Sequence, residues 1–293
     1  MSINEKFTLF CNNIKMSKED LDSISDRYHK ITRRINLEYW NSDSNNNHSL
    51  YVGSFGRDTE ILGSDIDMLV QLPYSVYEKY NKYQGNGQSA LLQDVKKAIE
   101  KTYTHSHLKG DGQIISFPFT DGIDFEILPA FINNDDTSYT FANSNNGGSW
   151  KVTNPRAEIN AINDLNKICK GNLKKLCRMV RAWKNYNNVN ISGILIDILC
   201  YRFIKDWKYR AEPLEYFDWL TRDFFKYLSE IDTEKKEWCI MGSGRKINHY
   251  GIFQYKAKQA YNVALTAIQY ETQHNNYSAN QKWREIYGTK FPK

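Results

Sequence analysis

Long hydrophobic runs are missing from this sequence of 293 residues. The greasiest stretch, Ile191 to Ile204, is interrupted by Asp197 and Arg202 and is too short to cross a bilayer. Mean hydropathy is −0.66, which gives no ground for a membrane-embedded chain. The opening residues, MSINEKFTLF, have neither an apolar signal core nor a small-residue cleavage site, so the expected location is cytoplasmic. Cysteine is scarce and odd in number: Cys11, Cys169, Cys177, Cys200 and Cys239. No CxxC occurs, and no cysteine stands at ligand spacing from a histidine. That argues against a zinc site or a disulfide framework, and for reduced, mostly buried thiols. His105 and His107 have no acid nearby and read as surface polar residues. No internal repeat is visible, so a solenoid is excluded.

What is present suits one large domain or two packed lobes. Hydrophobic residues make up 41%, with 20 tyrosines supplying much of that, enough for a core without staples. The net charge of +5 is modest but unevenly spread. Residues 151–210 carry thirteen Lys or Arg against four acids, leaving the rest of the chain net acidic. A local basic field suits a polyanion or a phosphorylated ligand; a solvated helical face is the ordinary alternative.

The periodicity predicts a long amphipathic helix over 17–40, with Ser17 and Asp20 as a capping box. An Asn/Ser loop follows, then short strands at 50–52 and 65–72 and a helix over 89–103 capped by Ser89. Strands at 113–119 and 123–128 flank Asp121-Gly122, a hairpin signal. Residues 133–149 read as a polar loop. Beyond it the period turns helical: Asn154-Pro155 opens a helix and Gly171 ends it. Further helices are expected at 172–187, 192–208, 213–229, 251–274 and 278–287. Gly242-Ser243-Gly244 reads as a turn between helices. The predicted class is α/β (α+β). Residues 1–150 form a sheet lobe with an amino-terminal brace helix, and residues 151–293 a helical lobe.

The informative segment is Gly53-Ser54-Phe55-Gly56-Arg57 followed by Gly63-Ser64-Asp65-Ile66-Asp67-Met68. Side chains alternate along a strand, so Asp65 and Asp67 share one face while Ile66, Met68 and Val70 point into a core. Two like charges with no local lysine are stable with a cation between them, and hard oxygen ligands suit Mg²⁺ shared with substrate phosphates. Glycine at 53 lets backbone N–H groups approach a phosphate, and the Ser54 hydroxyl adds a donor. A third carboxylate is expected from a neighbouring strand. Asp124 is preferred, but Glu126 shares its face and the sequence allows either. Three acids with two Mg²⁺ would form a two-metal phosphoryl-transfer site. Lys174, Arg178 and Arg181 share one face of the 172–187 helix and could grip a triphosphate. Ser192, opening the next helix, could hold phosphate or act as a plain N-cap.

Gly53-Ser54, Asp65-Ile66-Asp67 and Asp124 together resemble the signature of polymerase-beta-like nucleotidyltransferases. The segment Leu173 to Trp183 and Ser192 resemble the cGAS/DncV-like branch (the CD-NTases) and the oligoadenylate synthases. The length is most similar to the bacterial CdnE clade. The resemblance implies a bilobed fold with the active site in the cleft. It implies Mg²⁺ or Mn²⁺, two ions, on Asp65, Asp67 and Asp124. It also implies nucleotide contacts from Gly53, Ser54, Lys174, Arg178, Arg181 and Ser192. The implied activity is synthesis of a cyclic dinucleotide from two nucleoside triphosphates, in CBASS anti-phage defence. Cyclic di-GMP from GTP, feeding a STING-type effector, is the leading product; cyclic UMP-AMP, di-UMP and GMP-AMP stay open, as does a nucleotidyltransferase acting on RNA ends or a protein. The Cys/His zinc insertion of the animal DNA sensor is absent, which argues against nucleic-acid activation.

Overall fold

A computed structural model describes residues 1–104 and 108–293; His105 and His107 lie outside the described residues. In chain order the elements are α1 (Ile3–Asn13), α2 (Lys18–Ile35), β1 (Ser49–Tyr51), α3 (Gly53–Gly56), β2 (Ile66–Gln71), α4 (Tyr74–Asn81), α5 (Gly87–Glu100), β3 (Lys109–Asp111), β4 (Ile114–Phe117) and β5 (Phe125–Ile132). They continue with β6 (Tyr139–Asn143), β7 (Ser149–Thr153), α6 (Pro155–Ile168), α7 (Asn172–Tyr186), α8 (Gly193–Asp206), α9 (Phe217–Ser229), β8 (Glu237–Cys239), β9 (Lys246–Asn248), α10 (Gln254–Thr272) and α11 (Asn276–Tyr287). These pack into two units. A sheet unit holds Met16–Asp58 and Gly63–Ile159, and a helical unit holds Met1–Lys15, Thr59–Leu62 and Asn160–Lys293. The chain passes from one to the other at 159/160 rather than at 150, and its first fifteen residues fold with the helices.

In the sheet unit the strand order is β1-β2-β5-β4-β3, with β6 paired to β5 and β7 to β6. The β2–β5 pair is parallel and the other pairs are antiparallel. The alternation expected of β2 and β5 is present. Ile66, Met68, Val70, Phe125 and Ile127 are fully buried and pack with Ile24 and Ile31 of α2 and Leu91 and Val95 of α5. Each such side chain contributes roughly 1.5–3 kcal/mol on burial, so the strands are pinned in register by one face. A one-residue slip would turn those side chains to the other face.

The capping box at Ser17 and Asp20 forms as expected. The cap of α5 is Asn86 rather than Ser89: the Ser89 N–H donates to Asn86 Oδ1 at 2.8 Å. The loop expected over 133–149 instead contains β6 and the start of β7. Tyr139 and Phe141 are buried in a small cluster with Val52, Leu69 and Ala130, and that burial outweighs the polar composition around them.

The helical unit is built around Trp183, Trp283, Phe217, Phe224 and Phe225, all buried. Helix α1 joins this core. Phe7 meets Trp283 and Phe291 edge-on, with ring centroids 5.5 and 5.3 Å apart. Asn154 caps α6 through the Ala157 N–H at 3.0 Å, and Gly171 separates α6 from α7 at φ +89°. Gly242-Ser243-Gly244 lies between β8 and β9, so it turns a hairpin and not two helices. Cys11, Cys169, Cys177 and Cys200 are buried free thiols, and Cys239 is an exposed one. Among the described residues no helix is long and apolar enough to cross a membrane.

Candidate active site

The site grows out of the parallel pair. Register places Ile66 opposite Phe125 and Asp67 opposite Glu126. One step back, the Ile66 N–H donates to the Asp124 carbonyl at 2.8 Å, so Asp65 and Asp124 lie at the same level on the two strands. Alternation sends Asp65, Asp67, Asp124 and Glu126 to one face, opposite the core side chains. Four carboxylates therefore stand two by two at the start of adjacent strands. Ser116 of β4 continues the row beside Glu126. Further along the same face the surface turns apolar, at Leu69 and Ala130.

The electrostatics follow from this crowding. Burial, then the Asp124 charge, holds the Asp65 carboxyl above the usual carboxylate range. Asp67 is also raised, chiefly by burial and further by Asp65. The buried Arg57 guanidinium, a hydrogen bond with Glu126 and the Ser54 backbone N–H pull it partway back. Arg57 is itself fixed within the sheet unit, with Nη1 3.5 Å from Glu158 Oε2. Glu126 is pushed up to about 7 by burial, then by Asp67 and Asp65 and its hydrogen bond to Asp67. A group of hard carboxylate oxygens that raise one another's proton affinity is the donor set a divalent cation such as Mg²⁺ takes. The residues present fit that ion by chemistry. They are paired rather than gathered: among the described residues no three His, Cys, Asp or Glu side chains already form a ligand cluster.

Of the two candidates for the third carboxylate, the register favours Glu126. It sits directly opposite Asp67 and bonds to it. Asp124 shares the face but spends Oδ1 on the Phe119 N–H at 3.2 Å. Sequence reasoning could not separate them, because a period of two puts both on the same side.

Gly53 has a more immediate reason to be glycine than closeness to a phosphate. Its φ is +60°, and an added Cβ would lie 1.7 Å from Asp67 Oδ2. The Gly53-Ser54 turn is thus wrapped around the carboxylate it serves, with the Ser54 N–H on Asp67.

The two arginines expected to grip a triphosphate do not form a solvated helical face. Arg178 and Arg181 are buried. Arg178 Nε donates to the Glu60 carbonyl at 3.1 Å, and its Nη2 lies 3.4 Å from Glu60 Oε1. Arg181 makes a forked pair with Asp197 at 2.6 and 2.9 Å. A helix of high apolar content can bury cations only with such partners, and the spacing alone does not disclose Glu60 or Asp197. Lys174 is half-buried on the same helix. The Ser192 hydroxyl accepts the Leu195 N–H at 3.4 Å, the N-cap geometry.

A curated relative from Bacillus cereus (strain VD146), named a probable cyclic nucleotide synthase, is 25% identical over 179 residues. That match covers 57% of this chain and 51% of the relative, so the chain spans about half the length of the curated relative it matches. Among solved structures, CdnC of E. coli MS115-1, in its HORMA-deltaN complex, superposes with a TM-score of 0.70 at 14% identity, covering 99% of this chain and 98% of that one. CdnG of Bradyrhizobium diazoefficiens, in complex with GTP, gives 0.63 at 8% identity over 98% and 95%. The STING-associated CdnE c-di-GMP synthase of Capnocytophaga granulosa gives 0.59 at 17% over 96% and 85%. The fold is therefore that of the cGAS/DncV-like nucleotidyltransferases. Residues 1–166, more than half the sequence, match the Second Messenger Oligonucleotide or Dinucleotide Synthetase domain, and the chain belongs to that family, SMODS.

Proposed function

We propose that this protein is a metal-dependent nucleotidyltransferase that joins two nucleoside triphosphates into a cyclic dinucleotide. The observation that carries the reading is the double row of carboxylates on β2 and β5, beside the Gly53-Ser54 turn. In each of two steps a ribose hydroxyl oxygen bonds to an α-phosphorus, the bond to the leaving pyrophosphate breaks, and the hydroxyl proton passes to solvent water. Divalent cations, when bound, supply Lewis acidity to the attacking and leaving oxygens.

The chain's own residues divide the remaining work. Asp65 and Asp67 would hold the ions, with Glu126 as the favoured third ligand and Asp124 as its rival. Gly53 and Ser54 turn backbone and hydroxyl donors toward the triphosphate. Lys174 and Ser192 keep the phosphate-contact role expected of them. Arg178 and Arg181, committed to Glu60 and Asp197, are assigned a different one below.

We favour GTP as substrate and cyclic di-GMP as product. The support is the likeness to the c-di-GMP synthase of Capnocytophaga granulosa and to a CdnG solved with GTP. Base choice rests on a few pocket contacts. A role in CBASS signalling, with the product acting on an effector, follows from the same reading.

The test is direct. The purified chain is incubated with each nucleoside triphosphate alone and in pairs, with Mg²⁺ or Mn²⁺. Phosphatase treatment and mass spectrometry follow. A phosphatase-resistant product of cyclic dinucleotide mass, made from GTP alone, supports the whole proposal. A mixed product corrects the base choice only. Labelled RNA or protein in its place favours the RNA-end or protein-acceptor reading.

A further inference from the structure

The loop between α3 and β2 is divided in an unusual way. Residues 53–58 and 63–71 fold with the sheet, but Thr59–Leu62 fold with the helices. This four-residue piece lies in the middle of the segment that carries Gly53-Ser54 at one end and Asp65-Asp67 at the other. Three of its four side chains are shielded from solvent, Leu62 being the exposed one. Thr59, Glu60 and Ile61 are buried, and Ile61 belongs to the helical core.

Each residue of the piece has a specific hold. Arg178 takes both the carbonyl and the carboxylate of Glu60. The Thr59 hydroxyl donates to Asp197 Oδ2 at 3.1 Å. Asp197 is held in turn by the forked Arg181, whose Nη2 also donates to the Gly193 carbonyl at 3.1 Å. The Leu62 N–H donates to the Ile14 carbonyl at 3.0 Å. A surface loop of this length needs none of this; a buried, doubly charged anchorage costs desolvation and is kept where it fixes a conformation.

We infer that Arg178 and Arg181 are positioning residues for the reaction: they clamp residues 59–62 and thereby set the path of the loop whose two ends carry the Gly53-Ser54 turn and the Asp65-Asp67 pair. The inference rests on the functional reading of those two ends. It assigns the two arginines no contact with nucleotide. Arg178 acts through Glu60, and Arg181 acts through Asp197 and Thr59. Small displacements matter here, because a shift of about 1 Å at reacting groups can cost on the order of a hundredfold in rate.

The experiment compares Arg178→Met, Glu60→Ala and the double variant in the full chain, by steady-state kinetics and by amide hydrogen exchange. Both single variants are expected to lower kcat by at least about tenfold with KM for the triphosphate within about twofold, and the double variant to be no worse than Arg178→Met alone. Amides 59–64 exchange faster in Arg178→Met, while those of α10, in the same unit, do not. If Arg178→Met fails to fold, Arg178→Lys and Glu60→Gln carry the same comparison. A raised KM with kcat preserved would return Arg178 to the nucleotide and overturn the inference. So would unchanged exchange over 59–64, or additive losses in the double variant. If the wild-type chain makes no dinucleotide from any triphosphate, the functional reading fails, and the exchange measurement alone decides the clamp.

Discussion

Gly53 and Gly63 offer a matched pair of perturbations around one site. Both have positive φ, +60° and +81°. Alanine at either position pays the left-handed backbone penalty, roughly 1–2 kcal/mol. At Gly63 nothing lies within 4 Å of the new Cβ, so the penalty ends there. At Gly53 the new Cβ lies 1.7 Å from Asp67 Oδ2, 2.4 Å from its Cγ and 2.7 Å from its Cβ. Turning Asp67 about χ1 moves the first two atoms but not the third, so the backbone of α3 or β2 must shift. Overpacking of that kind costs about 1–3 kcal/mol more, and the shift falls on a carboxylate assigned to the reaction. Gly63→Ala should therefore lose about 1–2 kcal/mol in urea unfolding and keep its turnover. Gly53→Ala should lose on the order of 2–5 kcal/mol and, where folded, about a hundredfold or more in kcat. Pyrophosphate release, normalised to the folded fraction, reads the difference. Equal turnover in the two variants would refute the claim that the Gly53 turn and the Asp67 carboxylate form one unit.

Further outcomes follow from the other features of the site and the core. Asp65→Asn and Asp67→Asn should abolish turnover with little change in unfolding midpoint; substantial remaining activity in either would remove it from the ligand set. Glu126→Gln should be far more damaging than Asp124→Asn, and kinetics showing the reverse order would restore Asp124 as the third ligand. Asp218, half wrapped by α9 with the Trp219 N–H at 2.7 Å, is pushed up to about 7 by burial. Its native state thus holds a proton that the unfolded chain releases near pH 4, so stability falls as pH rises from about 4 to about 7 and levels off above. A rise from 3.8 to about 7 corresponds to at most roughly 4 kcal/mol. Asp218→Asn should remove that slope, gaining on wild type between pH 5 and pH 8, and parallel unfolding curves across that range would contradict the assignment. Arg181→Met removes the guanidinium that pairs with the fully buried Asp197 and should cost about 3–5 kcal/mol; a loss below about 1 kcal/mol would show that the pair is not the anchor described.

Much of this was legible in the sequence because period and punctuation are local. The stripe of Ile24, Tyr28 and Ile31, the alternation around Ile66 and Met68, and the Asp121-Gly122 turn each announce one element without reference to distant residues. Two of the elements that stayed hidden depend on partners elsewhere in the chain. β6 is a strand because Tyr139 and Phe141 find Val52, Leu69 and Ala130. α1 exists because Phe7 and Phe10 find Trp283, Tyr287 and Phe291, although the Ser2 and Glu5 capping box was there to be seen. The acidic face was readable from Asp65 and Asp67. The choice between Asp124 and Glu126 was not, since it depends on which residue of β5 falls opposite Asp67. The partners of the arginines stayed hidden for the same reason: spacing on α7 shows which side chains share a face, not that Glu60 and Asp197 wait beneath them.

The placement of α1 also sets an order of events at the ribosome. The residues of the sheet unit all lie before 160, and only Thr59–Leu62, within that span, belong to the helical unit, so most of the sheet can pair while the chain is still being made. Phe7 and Phe10 are made before any of their partners, since the rings they pack against are Phe217, Trp283, Tyr287 and Phe291. At about 5–20 residues per second, the first helix waits on the order of ten seconds or more for its partners. During that interval the two phenylalanines of α1 lack the rings that cover them in the folded chain. The rings that shelter α1 are thus made long after α1 itself.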